Sequence, residues 1–146
     1  DLSRIKMGDY IRTLTGHLFR SYGVDPNLIS LELNVDDVEF DIDTGLTCGL
    51  IIDELVSNCL KHAFIDDSGG TVHIDLLDHV DGTFTLCVSD NGIGIPKDGV
   101  LNNPDSLGLE LVTLLAEKLD GSTELRSGAG TEWQIRFQQL QYSERV

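Results

Sequence analysis

Basic residues are in short supply. The 146-residue chain carries 10 Lys and Arg against 25 Asp and Glu, a formal net charge of −15. Binding to a nucleic-acid backbone or an anionic membrane needs a basic surface, so both are excluded as general activities. A phosphorylated small molecule is not excluded, because a metal ion and one well-placed lysine can handle phosphates locally. Long apolar runs are missing too, so no segment reads as a membrane span. The start has no signal-peptide pattern, and a chain that opens on Asp1 reads as a piece of a longer protein. Cysteines number three, Cys48, Cys59 and Cys87, with neither a CxxC pair nor metal-ligand spacing. Each sits among apolar neighbours. All three are expected to be reduced core thiols, which fits a reducing, cytoplasmic compartment. Repeats, low-complexity segments and linkers are absent as well, and the length suits one core.

The periodicities that are present alternate between helix and strand. "DYIRTLTGHLFRSYG" places Ile11, Leu14, Leu18 and Tyr22 at helical spacing and closes on Gly23. "ISLELNV" and "VEFDI" read as strands. "DTGLTCGLIIDELVSNCLKHAF" is a long helix with Asp43 or Thr44 as its cap. "TVHIDLLDHV" and "TFTLCVS" are strands joined at Asp81-Gly82. "SLGLELVTLLAEKL" is a helix capped by Asp105 or Ser106. "STELRS" and "TEWQIRF" form a last hairpin around "GAG". Strand hairpins interrupted by helices predict an α+β fold: an α/β sandwich whose mixed, mostly antiparallel sheet has helices packed on one face. Residues 95–107 form a long loop of the kind that carries function in compact domains.

Three places carry chemistry. Rotating the long helix at about 100° per residue gathers Cys48, Ile52, Leu55, Val56, Cys59, Leu60 and Ala63 into one core-facing arc. Glu54, Asn58 and Lys61 fall together on the other side. That stripe is either a solvated face with ordinary ion pairing or a platform for metal and phosphate. In the second case Asn58 offers oxygen to Mg²⁺, Lys61 neutralises a phosphate, and Glu54 orients or deprotonates a nucleophile.

The second place is "DNGIGIP". It is good hairpin chemistry. Yet Asp90 continues the row of Phe84, Leu86 and Val88 at the strand period of two. A carboxylate in phase with a core row needs a hydrogen-bond donor. Gly92 and Gly94 let a flat ligand approach the backbone. On the last strand Thr131, Trp133, Ile135 and Phe137 share a face, and Thr131 adds a hydroxyl at its end. An acid and a hydroxyl at the rim of an apolar pocket suit adenine, whose exocyclic amine donates. The third place is the helix opened by Gly108 and Leu109, which is either simply capped or ready for phosphate at its amide end. The GxxxxGK[ST] loop is absent, and a GxGxxG beginning at Gly92 fails because Lys97 holds its last position.

In this order the pieces resemble a known family. "ELVSNCLKHAF" resembles the N box of the GHKL ATPase/kinase superfamily, "DNGIGIP" its G1 box, "SLGLELV" its G2 box and "GAGTEWQIRF" its closing Gly-Thr strand. The resemblance runs from about Leu28 to Phe137. It is greatest to the ATP-binding catalytic domain of bacterial sensor histidine kinases, in the subgroup with the HisKA_2 type of dimerisation module.

The resemblance implies a Bergerat α/β sandwich over residues 25–146. Residues 1–24 would be a leading helix or the tail of a preceding dimerisation segment. Asp90 would bind the adenine amine with Thr131 beside it. Asn58 would hold Mg²⁺, and Lys61 and His62 would lie near the phosphates or ribose. Gly92, Gly94 and Ile95 would shape the near wall; Leu107, Gly108 and Leu109 would form the phosphate end; residues 95–107 would be the ATP lid. The implied cofactors are ATP and Mg²⁺. The implied partners are a histidine-bearing dimerisation domain and a response regulator, with no direct membrane contact. The lid has no evident F box. No phosphoacceptor box is found either, because His17 is followed by Leu18-Phe19 instead of polar neighbours. Three other activities share parts of the pattern: an anti-sigma-factor type serine kinase, a DNA-linked GHL ATPase, and a nucleotide-sensing module without transfer.

Overall fold

A computed structural model describes residues 3–64, 68–93 and 106–139, without the side chains of Ser106 and Leu107. Seven strands and three helices are described in chain order: β1 (Arg4–Lys6), α1 (Met7–Ser21), β2 (Ile29–Val35), β3 (Glu39–Asp41), α2 (Ile42–Asn58), β4 (Gly70–Asp78), β5 (Thr83–Asp90), α3 (Ser106–Lys118), β6 (Ser122–Ser127) and β7 (Thr131–Gln138). A π-helical turn, Cys59–Ala63, prolongs α2.

The main sheet has the order β2-β4-β5-β7-β6. Only the β2–β4 pair is parallel; the other three pairs are antiparallel. The expected mostly antiparallel α+β sheet is therefore present. "ISLELNV" and "VEFDI" do not pair with each other, however. β3 instead joins β1 in a separate two-stranded ribbon. β2 reaches β4 only after α2, the long crossover that a parallel pair requires. Across the sheet, one face carries Ile74, Leu76, Leu86, Val88, Trp133 and Ile135, all buried. α2 packs against β5 on this face and against both α1 and α3. Met7, Ile11 and Leu18 of α1 share the same core.

At one end of β5, Phe84 stacks with Phe137 (centroids 5.7 Å apart) and meets Phe40 of β3 edge-on at 4.8 Å. Asp90 ends the same strand six residues away, roughly 20 Å at the rise of a strand. The aromatic cluster anchors the sheet at the end remote from Asp90.

α2 starts earlier than its sequence suggests. Asp41, extended at φ −63° and ψ 164°, is the N-cap, and its carboxylate accepts from the Thr44 N–H at 3.4 Å. Asp43 lies inside the first turn and Thr44 is buried. The thiols need one correction. Cys48 and Cys59 belong to the core, but Cys87 is out of phase with Phe84, Leu86 and Val88. It is buried on the other face, where its thiol donates to Glu132 Oε2 at 3.5 Å. All three are free thiols.

Candidate functional site

Asp90 is the last residue of β5, so it belongs to the strand and not to the turn that follows. It lies opposite Val72 of β4 and Thr131 of β7. Its phase with Phe84, Leu86 and Val88 turns it to the core side, and only 8% of its surface is exposed. A carboxylate so buried needs donors, and it has two among the described residues. The Gly92 N–H donates to Oδ1 at 2.8 Å, a local side-chain-to-backbone turn. The Cys59 thiol donates to Oδ2 at 3.2 Å. Four lone-pair positions exist on an ionised carboxylate, which leaves acceptor capacity for a further donor.

The DNG segment is tied down on both sides. Asn91 Oδ1 accepts from the Thr71 N–H at 2.8 Å. The Ile93 N–H donates to the Ala63 carbonyl at 3.0 Å. That carbonyl lies at the end of the helical run, where carbonyls run out of intrahelical partners. Gly92 sits so near this place that a Cβ on it would land inside the Ala63 carbonyl oxygen. The glycine is thus required for close approach of the loop to the helix end, before any ligand is considered.

The π turn changes the geometry of the N-box segment. A straight α-helical projection groups Lys61 with Glu54 and Asn58, but the wider turn begins at Cys59 and takes the chain out of that register. Lys61 is exposed, and its Nζ lies 6.0 Å from the centroid of the Tyr22 ring. His62 is exposed on the same turn. Glu54 and Asn58, both half-buried, remain on the regular helix. Asn58 Nδ2 is buried and has no hydrogen-bond partner among the described residues. A buried amide nitrogen left without a partner costs free energy, so it fits an acceptor supplied from outside, such as a phosphate oxygen or water. The amide oxygen of Asn58 is of the type that suits a hard cation that keeps most of its waters. No cluster of three or more His, Cys, Asp and Glu stands ready for a metal among the described residues. That is compatible with Mg²⁺ held by one protein oxygen and by phosphates.

Glu54 faces the start of α3. A Cβ on Gly108 would fall inside the Glu54 carboxylate. The helix start therefore comes down on the acid, and Leu109, the next residue, is buried. Asp90, Gly92, Thr131 and the end of the N-box helix form one group; Glu54, Gly108 and Leu109 form a second, joined to the first through α2. Lys61 and His62 lie on the π turn that follows Asn58, both exposed. Gly94, Ile95 and most of the 95–107 loop, Asp105 included, lie outside the described residues, as does the side chain of Leu107. The sequence reading missed Cys59 as a site residue. The only signal for it was its place next to Asn58, at the edge between the core arc and the polar stripe.

Burial pushes the Cys59 thiol well above the ordinary cysteine range, with the Asp90 carboxylate adding to the effect. The sulfur therefore stays protonated and acts as a donor, not as a nucleophile.

Residues 45–141 match the family described as histidine kinase-, DNA gyrase B-, and HSP90-like ATPase. The chain is 31% identical over 104 residues to blue-light-activated histidine kinase 2 of Erythrobacter litoralis (strain HTCC2594), covering 70% of this chain and 30% of the relative. It is 35% identical over 100 residues to the sensor histidine kinase PdtaS of Mycobacterium tuberculosis, covering 66% of this chain and 20% of the relative. The chain thus spans less than a third of these curated relatives. Among solved structures, the histidine kinase domain of the Erythrobacter litoralis EL346 blue-light activated histidine kinase superposes with a TM-score of 0.82 at 25% identity, over 92% of this chain and 62% of that one. The mycobacterial sensor histidine kinase MprB shares the fold, with a TM-score of 0.74 at 20% identity over 93% of this chain and 96% of that one. With its N-box helix, its buried Asp90 and the match over residues 45–141, the chain belongs to the family of histidine kinase-, DNA gyrase B- and HSP90-like ATPases.

Proposed function

We propose that this chain is the ATP-binding catalytic domain of a two-component sensor histidine kinase. It would pass the γ-phosphoryl of ATP to a histidine on a dimerisation segment, and a response regulator would receive it next. The observation that carries the reading is Asp90: a buried carboxylate, held by two donors and aligned with an apolar row, with acceptor capacity left over. An exocyclic amine fits it, and a guanine carbonyl oxygen does not. Thr131, opposite Asp90 in the register, would add a hydroxyl to the same contact.

Mg²⁺, when bound, would neutralise phosphate charge, and Asn58 would hold it through its amide oxygen. Gly92, with Gly94 and Ile95 after it, would line the base; Leu107, Gly108 and Leu109 would present the amide end of α3 to phosphate. Lys61 and His62 would reach the phosphates or ribose from the π turn. Transfer breaks the bond from the γ-phosphorus to its bridging oxygen and forms a bond to the imidazole nitrogen, with ADP as the leaving group. Glu54 would orient that imidazole or take its proton. Most of the rate then comes from positioning and charge neutralisation. Among the described residues no helix is long and apolar enough to cross a membrane, and a cytoplasmic location is part of the proposal.

The test uses γ-labelled ATP. The chain alone should bind nucleotide and stay unlabelled, because His17 has no acceptor-like neighbours. Adding the parent protein's histidine-bearing helical hairpin should give acid-labile label on the hairpin. Acid-stable label on a serine of an added protein would overturn the reading in favour of a serine kinase.

A further inference from the structure

Cys59 lies where no chemistry was expected of it. It is the residue directly after Asn58, and it opens the π turn. Only 8% of its surface is exposed. Its sulfur lies 3.2 Å from Asp90 Oδ2, while the Gly92 N–H holds Oδ1 at 2.8 Å. The two donors come from different elements, the end of the N-box helix and the loop after β5. Together they fix both oxygens, and with them the plane of the carboxylate. A carboxylate held by Gly92 alone keeps the freedom of its broad terminal torsion.

We infer that Cys59 is a positioning residue for the base: its thiol holds the carboxylate of Asp90 in the orientation that reads an exocyclic amine. The inference rests on the assignment of Asp90 to adenine and deepens it. The sulfur faces a carboxylate oxygen, which accepts and does not donate, so across this 3.2 Å contact the thiol is the donor. The arrangement also joins the two halves of the site, because the residue that orients Asp90 is covalently next to Asn58. A base seated on Asp90 and an ion or phosphate on Asn58 would stabilise the same turn of helix.

The test is a comparison of two nucleotides by calorimetry: ATP, and purine riboside 5′-triphosphate, which is ATP without the 6-amino group. The wild-type chain should bind ATP at least about tenfold more tightly, as expected for a hydrogen bond to a charged acceptor. Cys59→Ala should lose about threefold to tenfold in affinity for ATP, and less than about twofold for the analogue. Cys59→Ser, which restores a donor, should recover most of the loss. Cys59→Val, apolar and without a donor, should behave like Cys59→Ala and serves if the smaller side chain unsettles the fold. Packing alone would weaken both nucleotides alike, so an unchanged ratio in Cys59→Ala overturns the inference while the Asp90 assignment stands. Equal wild-type affinity for the two nucleotides overturns the Asp90 assignment and the inference with it.

Discussion

Replacing Asp90 with Asn keeps the shape of the side chain and changes only its hydrogen-bonding character. The native carboxylate accepts from the Gly92 N–H and from the Cys59 thiol, one on each oxygen. Asn has one acceptor oxygen and one donor NH₂ group. If the oxygen keeps the Gly92 bond, the NH₂ faces the Cys59 thiol and the adenine amine, donor against donor. The opposite rotamer sets the NH₂ against the Gly92 N–H. Either way one good acceptor is lost at a place built for a charged one. Hydrogen bonds to charged groups contribute about 1.5–3 kcal/mol, so ATP affinity should fall by roughly ten- to more than a hundredfold. The assay is calorimetric titration of Asp90→Asn and wild type with Mg-ATP. Urea unfolding serves as the control, with a stability change expected within about 2 kcal/mol. An Asp90→Asn chain that is as stable as this and binds ATP within about twofold of wild type would refute the argument.

Asn58→Ala should weaken binding of Mg-ATP more than that of ATP without metal, since it removes an oxygen ligand; equal losses in paired titrations would remove Asn58 from the metal's surroundings. Phe40→Ala, which empties the fully buried centre of the aromatic cluster, should cost about 3–5 kcal/mol in urea unfolding. It should spare nucleotide affinity in the fraction that stays folded, because the cluster is remote from Asp90. Cys48 is pushed up to about 12 by burial, and Asp41 adds to the shift. In the unfolded chain its thiol ionises near the ordinary value of about 8.5. Its contribution to stability is therefore complete below that pH and is lost as pH rises toward 12, by up to about 1.4 kcal/mol per pH unit. Cys48→Ala should flatten the fall in denaturation midpoint between pH 9 and 11 (on the order of two units of this window). An unchanged slope would count against the buried-thiol account.

Much of this geometry is legible in the sequence. The period of two put Asp90 in the row of Phe84, Leu86 and Val88, and that row is buried with Asp90 at its end. The amphipathic wheel likewise found the core arc of α2. What it could not find was the π turn. Nothing in "CLKHA" differs locally from a helix, and the change of register goes with tertiary ties: the Ala63 carbonyl bonds Ile93, and Cys59 turns to Asp90. Lys61 was therefore grouped with Glu54 and Asn58 on a projection that ends at Asn58. β1 is three residues long and exists only by pairing with β3, a non-local contact that no alternation announces. For the same reason the partner of β2 is not visible in its alternation: β4 lies beyond a whole helix. Cys87 misled because a small apolar side chain is compatible with either face of a strand; its phase against Val88 held the answer.

The central claim is that this chain holds an adenine nucleotide through Asp90. Titrating the wild-type chain with Mg-ATP and Mg-GTP in the same calorimeter tests it most directly. Adenine gives the carboxylate a donor, whereas guanine presents a carbonyl oxygen and meets charge repulsion. The account predicts one site per chain and ATP bound at least about tenfold more tightly than GTP, a difference of about 1.4 kcal/mol or more. Equal affinities for the two, or no ATP binding by a folded chain, would contradict it.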